Sequence, residues 1–307
     1  MINIAVLLTC HNRKDKTLSC LSSLFAATER YNLSKEEGKN VGLDIFITDD
    51  GCTDGTADAI RQHFSSGQEI TIIKGDGSLY WNRGMIAAWE EALKSHSKYD
   101  YYLLLNDDTY LMGNLFEELF ATHEYTVAHY SRAGIYSGIT CSKDDDNVTT
   151  YGGDIFTNRF LSKLKRLNPN GTPQRCDMAN ANILLVARQV VDTIGIFWKG
   201  YHHGMSDSDY SLKAERNGIP IMLTPCYVGR CDFDHIDNYE EGRRLMAMSL
   251  KQRRAYFSKP TRSNKDYLRF IARHQTIRLP MVFVGRMLCV YFPKIYYKIK
   301  IPRSFYQ

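Results

Sequence analysis

Short apolar runs alternate with longer amphipathic segments through the first third of the chain, and that alternation predicts its architecture. Ile2–Thr9 (INIAVLLT) reads as a strand, followed by a helix over 15–30 whose Leu18, Leu21, Leu24 and Phe25 share one face. The run 43–49 (LDIFITD) precedes a helix over 56–64 with Thr53 or Asp54 at its N-cap. The run 70–75 leads to a helix over 82–95, and the run 101–107 to one over 114–124. Strands apolar throughout are covered on both faces, so with helices between them they predict a mostly parallel α/β sheet. From about Ala133 the alternation gives way to strands separated by long loops, at 134–142, 148–156, 181–187 and 219–225, with helices near 188–194 and 207–217. This half reads as α+β decoration that completes a site on the first sheet.

In such a sheet ligands collect at the carboxyl ends of the strands. The residues there are Thr9-Cys10-His11-Asn12-Arg13, Asp49-Asp50-Gly51, Gly75-Asp76-Gly77 and Asn106-Asp107-Asp108. Each set taken singly is a good turn, because Asn and Asp hydrogen-bond nearby backbone. Adjacent carboxylates repel, however, and a hard cation such as Mg2+ or Mn2+ relieves them, usually together with a phosphate. Convergence of four polar sets on one rim is what a binding crevice requires.

Charge sharpens this picture. The net charge is +5, too mild to demand a nucleic acid, yet beyond Asp266 there is no acidic residue at all. The segment from Arg269 to Arg303 mixes Arg and Lys with Phe, Tyr, Val, Ile and Met, interrupted by Arg286 and prolines. It is too broken for a spanning helix and fits an interfacial segment on an anionic membrane better than an ordinary core helix. The eight cysteines form no CxxC pair and no disulfide framework, which points to reduced thiols and an intracellular protein. Cys226, Cys231 and His235 lack a regular zinc spacing. The opening MINIAVLLTCHNRKDK has no basic leader or cleavage site and reads as a strand. No internal repeat or low-complexity tract is evident.

The motifs then match a known family in order. VLLTCHNR, ITDDGCTDGT, GDGSLYWNRGMIAAWEEAL, LLLNDDT, ANANILLVARQVVDTIGIF and GMSDSDYSLKAERNG make the chain resemble the family 2 nucleotide-sugar glycosyltransferases of GT-A fold, of a rhamnosyltransferase-like, surface-polysaccharide type, from Ile2 to His235. The resemblance implies a GT-A domain over 1–240, with a nucleotide-binding half (1–130) and an acceptor-side half (131–240), and a helical basic extension over 241–307. It implies Mn2+ or Mg2+ held by Asp108, with Asp107 and His235 as further metal-side groups, Asn106 standing where the family usually has an acid. Thr9, Asn12, Arg13, Asp49, Gly77, Trp81, Asn82, Arg83 and Asp107 would bind a UDP- or dTDP-linked donor, Asp49 reading the base. Asp207 would be the catalytic base and helix N-terminal residue at once, with His203 and Asp209 on the acceptor side and Ser206 where Glu is frequent. Trp89 and His202 are expected to be structural.

The implied activity is inverting transfer of a hexose or rhamnose to a hydroxyl of a glycan or lipid-linked acceptor in O-antigen- or capsule-like synthesis. The setting would be cytoplasmic, at the membrane face, with a homo-oligomer compatible and no nucleic acid partner. Two rivals stand beside it. A haloacid-dehalogenase-type phosphatase needs an Asp-x-Asp pair after the first strand, whereas these acids are adjacent and follow the second. A catalytically silent nucleotide-sugar or membrane-surface binding protein would suit Asn106 and Ser206.

Overall fold

The computed structural model describes residues 1–35, 39–64, 69–95, 98–233 and 238–300. The four opening strands form as the pattern predicts: β1 (Ile2–Cys10), β2 (Val41–Asp49), β3 (Glu69–Lys74) and β4 (Tyr101–Leu105). Ile4 to Leu8 and Leu103 to Leu105 are fully buried, so β1 and β4 form the floor of the core, while β3 at the sheet edge has no buried residue. Between them run α1 (Lys14–Leu33), α2 (Thr56–His63) and α3 (Tyr80–Lys94). Leu21 and Leu24 of α1 are buried and Leu18 and Phe25 pack against the same core, as their spacing predicts. The N-cap of α2 is Gly55, not Thr53 or Asp54. Gly55 adopts φ +78°, and Asp54 instead accepts from the Thr56 N–H at 3.1 Å and the Lys14 N–H at 2.9 Å.

The chain continues through β5 (Tyr110–Leu111), α4 (Leu115–Tyr130), β6 (Ile135–Cys141), β7 (Thr149–Tyr151), β8 (Gly153–Asn158) and β9 (Lys163–Arg166). Then come β10 (Gln174–Arg175), β11 (Met178–Ala179), β12 (Ile183–Ala187), α5 (Arg188–Ile194), α6 (Ser206–Arg216) and β13 (Ile221–Arg230). The single strand expected over 148–156 is split at Gly152, whose φ of +153° turns the chain out of one sheet into another. The strand expected to stop at Pro225 runs on to Arg230, because a register shift between Leu223 and Tyr227 accommodates the proline.

The main sheet has the order β10-β13-β6-β12-β4-β1-β2-β3, and β11-β8-β9 form a small second sheet. Strands β3, β2, β1 and β4 are parallel, as are β6 and β13. Between the two parallel groups β12 runs antiparallel to both β4 and β6. Its amino end therefore lies at the carboxyl end of β4, which carries the residues before Ile183 onto the same rim as Asn106–Asp108. Helix α3 packs on β1 and β2, and α4 on β13 and β6. A broad recess lined by Asn3, Asn32, Asp44, Glu69 and Tyr99 lies at the opposite, amino end of the strands.

Among the described residues, 1–199 and 206–233 form one compact unit, and 200–205 with 238–300 form another. The second contains α7 (Asn238–Ala247), α8 (Leu250–Ser258), α9 (Asn264–His274), α10 (Leu279–Tyr291) and α11 (Pro293–Lys300). Its small core centres on Leu245, Cys289 and Tyr297. Buried Arg253 is satisfied by the carbonyls of Val290, Leu245 and Met248. No helix among the described residues is long and apolar enough to cross a membrane.

Candidate functional site

The four polar loops at the carboxyl ends of β1 to β4 are tied into a closed ring. From the first loop, the His11 imidazole donates from Nδ1 to the Asp50 carbonyl (2.6 Å), and Asn12, at φ +50°, accepts at Oδ1 from the Thr53 N–H (2.7 Å). From the second, the buried carboxylate of Asp50 accepts the N–H groups of Gly77 (2.9 Å), Leu79 (3.2 Å) and Tyr80 (2.8 Å) in the third. Gly75 has no alternative there, since a Cβ would stand 2.9 Å from Asp50 Cα. From the third, the Trp81 indole donates to Asn106 Oδ1 in the fourth (2.8 Å). Arg13 closes the circuit by donating to Asp108 Oδ2 (2.7 Å) and Asp107 Oδ1 (3.4 Å).

The acid pair is the electrostatic centre of this ring. Asp107 is 5% exposed, and its Oδ2 accepts from the Thr17 hydroxyl at 3.2 Å. Burial pushes its carboxyl up to about 6, against the opposing pull of the Arg13 guanidinium. Asp108 is more open, and its Oδ1 faces the Cys231 thiol at 3.8 Å. Two adjacent carboxylates at one strand end demand positive charge, and Arg13 is the cation that answers. Its side chain is 44% exposed, so it has a way out to solvent if another cation takes its place.

Asp207 is joined to this centre through the three residues before β12. Its carboxylate accepts from the Ser208 N–H (2.7 Å), and the Ala181 N–H and the Asn180 side chain are near enough to favour its charged form. Burial raises its proton affinity, only partly offset by these groups. One residue further on, the Asn182 carbonyl accepts from the Asn106 N–H (3.1 Å), and its amide reaches Cys231 Sγ at 3.6 Å. The strip Asn180–Asn182 thus has Asp207 at one end and Asn106–Asp108 at the other.

The sequence profile described as glycosyl transferase family 2 matches residues 5–181, more than half of the chain. The chain belongs to glycosyl transferase family 2. Two solved structures share its fold at 14% identity each. PcManGT, a mannosyltransferase from Pyrobaculum calidifontis in complex with GDP-Man and Mn2+, superposes with a TM-score of 0.51 over 98% of this chain and 84% of its own. GalNAc-T7 with UDP, GalNAc and Mn2+ superposes with a TM-score of 0.54 over 75% of this chain, which spans 43% of that one. No curated protein matches in sequence. The fold is the GT-A arrangement, a mostly parallel sheet flanked by helices, with further helices at the carboxyl end.

The other residues singled out in this family 2 sequence occupy distinct places. Thr9 lies beneath Gly84 at the start of α3, so close that a Cβ on Gly84 would overlap its hydroxyl. Asp49 ends β2 and accepts the Cys52 N–H at 2.7 Å. Gly77, at φ +85°, belongs to the loop clamped by Asp50. Trp81 is half-buried against Phe197, with ring centroids 5.8 Å apart, and Arg83 is half-buried one turn into α3. Arg13, singled out as a donor-binding residue, pairs with the carboxylates of Asp107 and Asp108. Asn82 is fully buried, accepting from the Ser206 hydroxyl and donating to the Trp198 carbonyl at 3.2 Å, so its amide anchors the start of α6. Asp209 is likewise buried in the first turn of α6. Trp89 is wholly within the core, as expected. His202 and His203 belong to the second unit, where both donate backbone N–H groups to buried Asp266. His235 lies outside the described residues.

Thr17 carries no signal in the pattern, and Asp50, Asn180 and Asn182 stand there only as members of longer motifs with no role of their own. Asp50 carried one signal, its position beside Asp49, where strand alternation sends neighbouring side chains to opposite faces.

Proposed function

We propose that this family 2 chain is a metal-dependent, inverting glycosyltransferase that moves a hexose or rhamnose from a nucleoside diphosphate to an acceptor hydroxyl. The observation that carries the reading is the linkage of Asp207 to the Asn106–Asp108 rim through Asn180–Asn182.

The acid pair fits a hard divalent cation. The donors are carboxylate oxygens, the choice of Mg2+ and Mn2+, and the guanidinium of Arg13 already stands there as a monovalent substitute. Asp108, the more open acid, would be the direct ligand and Asp107 its support, while Asn106 is committed to Trp81. A cation bound there supplies positive charge to the diphosphate as it leaves. Arg13, displaced to the rim, offers a second positive charge to the phosphates.

Asp207 acts as general base. Its raised proton affinity brings the carboxyl closer to the acceptor hydroxyl it must deprotonate, and α6 fixes its direction. The hydroxyl proton passes to the Asp207 carboxylate as the oxygen attacks the anomeric carbon and the nucleoside diphosphate departs from the opposite face. Asp49, half-buried at the end of β2, reads the base of a UDP- or dTDP-linked donor. The family resemblance supports a surface-polysaccharide acceptor. A lipid-linked acceptor would suit the second unit, where α10 exposes Met281, Phe283 and Val284 in a segment rich in Lys and Arg and devoid of acids.

The test is nucleotide release from UDP-, dTDP- and GDP-sugars with Mn2+, Mg2+ or EDTA, in the presence of a polyprenyl-linked or glycan acceptor. One donor should turn over only with metal. Asp108→Ala should abolish both turnover and metal-dependent nucleotide binding, and Asp207→Asn should abolish turnover with binding retained. Nucleotide binding without turnover of any donor by the wild type would leave the catalytically silent binding protein as the better reading.

A further inference from the structure

We propose that Cys10, Asp49 and Cys52 form a site for a thiophilic divalent cation of the zinc type, and that a cation held there antagonises nucleotide binding. The three ligand atoms lie within 4.8 Å of one another, and the two Sγ atoms are 3.9 Å apart. A tetrahedral ion with Zn–S bonds of about 2.3 Å places two sulfurs ~3.8 Å apart, whereas a disulfide requires ~2.05 Å. The observed separation therefore matches the edge of a metal tetrahedron with neither side chain moving. The Asp49 carboxylate is a third donor of a kind zinc accepts, leaving one position for solvent.

Burial and the neighbouring acids push both thiols up, so the ion's own charge must stabilise the thiolates, and the hydrogen bonds around them help to hold the ligands in place. Asn12 donates its N–H to Cys52 Sγ at 3.2 Å, and Cys52 donates its own N–H to Asp49 Oδ1 at 2.7 Å. Outer hydrogen bonds of this sort orient ligands and favour their charged forms. Cys10 and Asp49 are partners across the parallel β1–β2 ladder, so two of the three donors ride on rigid strands. Cys52 is half-buried and gives the ion access from solvent. On binding, both thiols release their protons to solvent and the ion takes the two thiolates, so occupancy rises with pH. The oxygen pair Asp107–Asp108 selects harder ions, which keeps the two sites chemically separate.

Antagonism rests on the reading of Asp49 as the base-contacting residue, because an ion that engages this carboxylate withdraws it from the nucleotide. The experiment is a Cd2+ titration of the full chain in a buffer that fixes the free ion, following the ultraviolet thiolate-to-cadmium charge-transfer band. Wild type and Cys226→Ser should show the same tight band, and Cys10→Ser and Cys52→Ser should lose it. Cys52 is partly exposed, so Cys52→Ser is expected to melt like the wild type, and its melting curve checks this. No tight band in the wild type, or an undiminished one in Cys52→Ser, overturns the site. In a second arm, saturating UDP or dTDP should weaken Cd2+ binding about tenfold or more, since coupling between two ligands is reciprocal. Unchanged Cd2+ affinity with either nucleotide shown to be bound overturns the antagonism alone. Failure of both UDP and dTDP to bind in the presence of Mn2+ overturns the nucleotide reading, and the first arm still decides the site.

Discussion

Asp107→Asn should make the metal-free protein more stable. Burial raises the Asp107 carboxyl from the ordinary 3.8 to about 6, and at ~1.4 kcal/mol per tenfold change in proton affinity the folded state disfavours the ionised group by roughly 3 kcal/mol. Between these two values the folded chain holds a proton that the unfolded chain has released, so stability falls as pH rises through this window. The deficit is complete above the folded value and absent below the unfolded one. An amide at this position has no charge to desolvate. It forfeits the 3.4 Å contact with Arg13, whose stronger bond to Asp108 remains, and it alters the Thr17 hydrogen bond, together about 1 kcal/mol. The expected balance is a gain of roughly 2 kcal/mol at about pH 7.5 that shrinks by ~2 kcal/mol at about pH 4.5. Urea unfolding of both proteins at the two pH values, without divalent metal and with equal m-values, measures it. A variant less stable than the wild type at the higher pH, or a gain identical at both, would refute the reasoning. The same variant should bind nucleotide poorly in Mn2+, so that stability and ligand affinity move in opposite directions.

Asp50→Asn leaves a single side-chain oxygen for three N–H donors and turns an amide toward some of them. A loss of about 2–4 kcal/mol is expected in thermal unfolding, with faster proteolysis in the 75–80 loop, and an unchanged melting temperature would count against the clamp. Gly84→Ala places a Cβ 2.9 Å from Thr9 Cβ and closer still to its hydroxyl. Overpacking should cost about 1–3 kcal/mol in spite of the better helix propensity, and Thr9→Ala should recover part of it in the double variant.

The parallel half of the sheet was legible because its strands are apolar on both faces and its helices carry a periodic stripe. Direction is not encoded in hydrophobicity, so nothing in ANANILLVA announces that β12 runs against β4. Looking for site residues after each strand therefore found Asn106–Asp108 and missed Asn180–Asn182, which precede theirs. The partnership of Arg13 with Asp107 and Asp108 spans more than ninety positions and has no local signature. Asp49 and Asp50 are indistinguishable by composition, and only the approach of the 75–80 loop makes one a buried clamp and leaves the other at the rim. Asn82 looked like a ligand contact because it is polar at a helix start. Its burial follows from Ser206, more than a hundred residues away.

The closed ring of loop-to-loop hydrogen bonds has a thermodynamic corollary. A loop that is loose before its ligand arrives must be ordered at the moment of binding, and that ordering subtracts from affinity. Here each of the four loops is held by its neighbours, so the conformational entropy is surrendered during folding. What must rearrange for a cation to enter is one half-exposed arginine side chain, a motion of picoseconds to nanoseconds rather than the microseconds of a loop closure. Cation capture at the rim should accordingly be fast and limited by encounter.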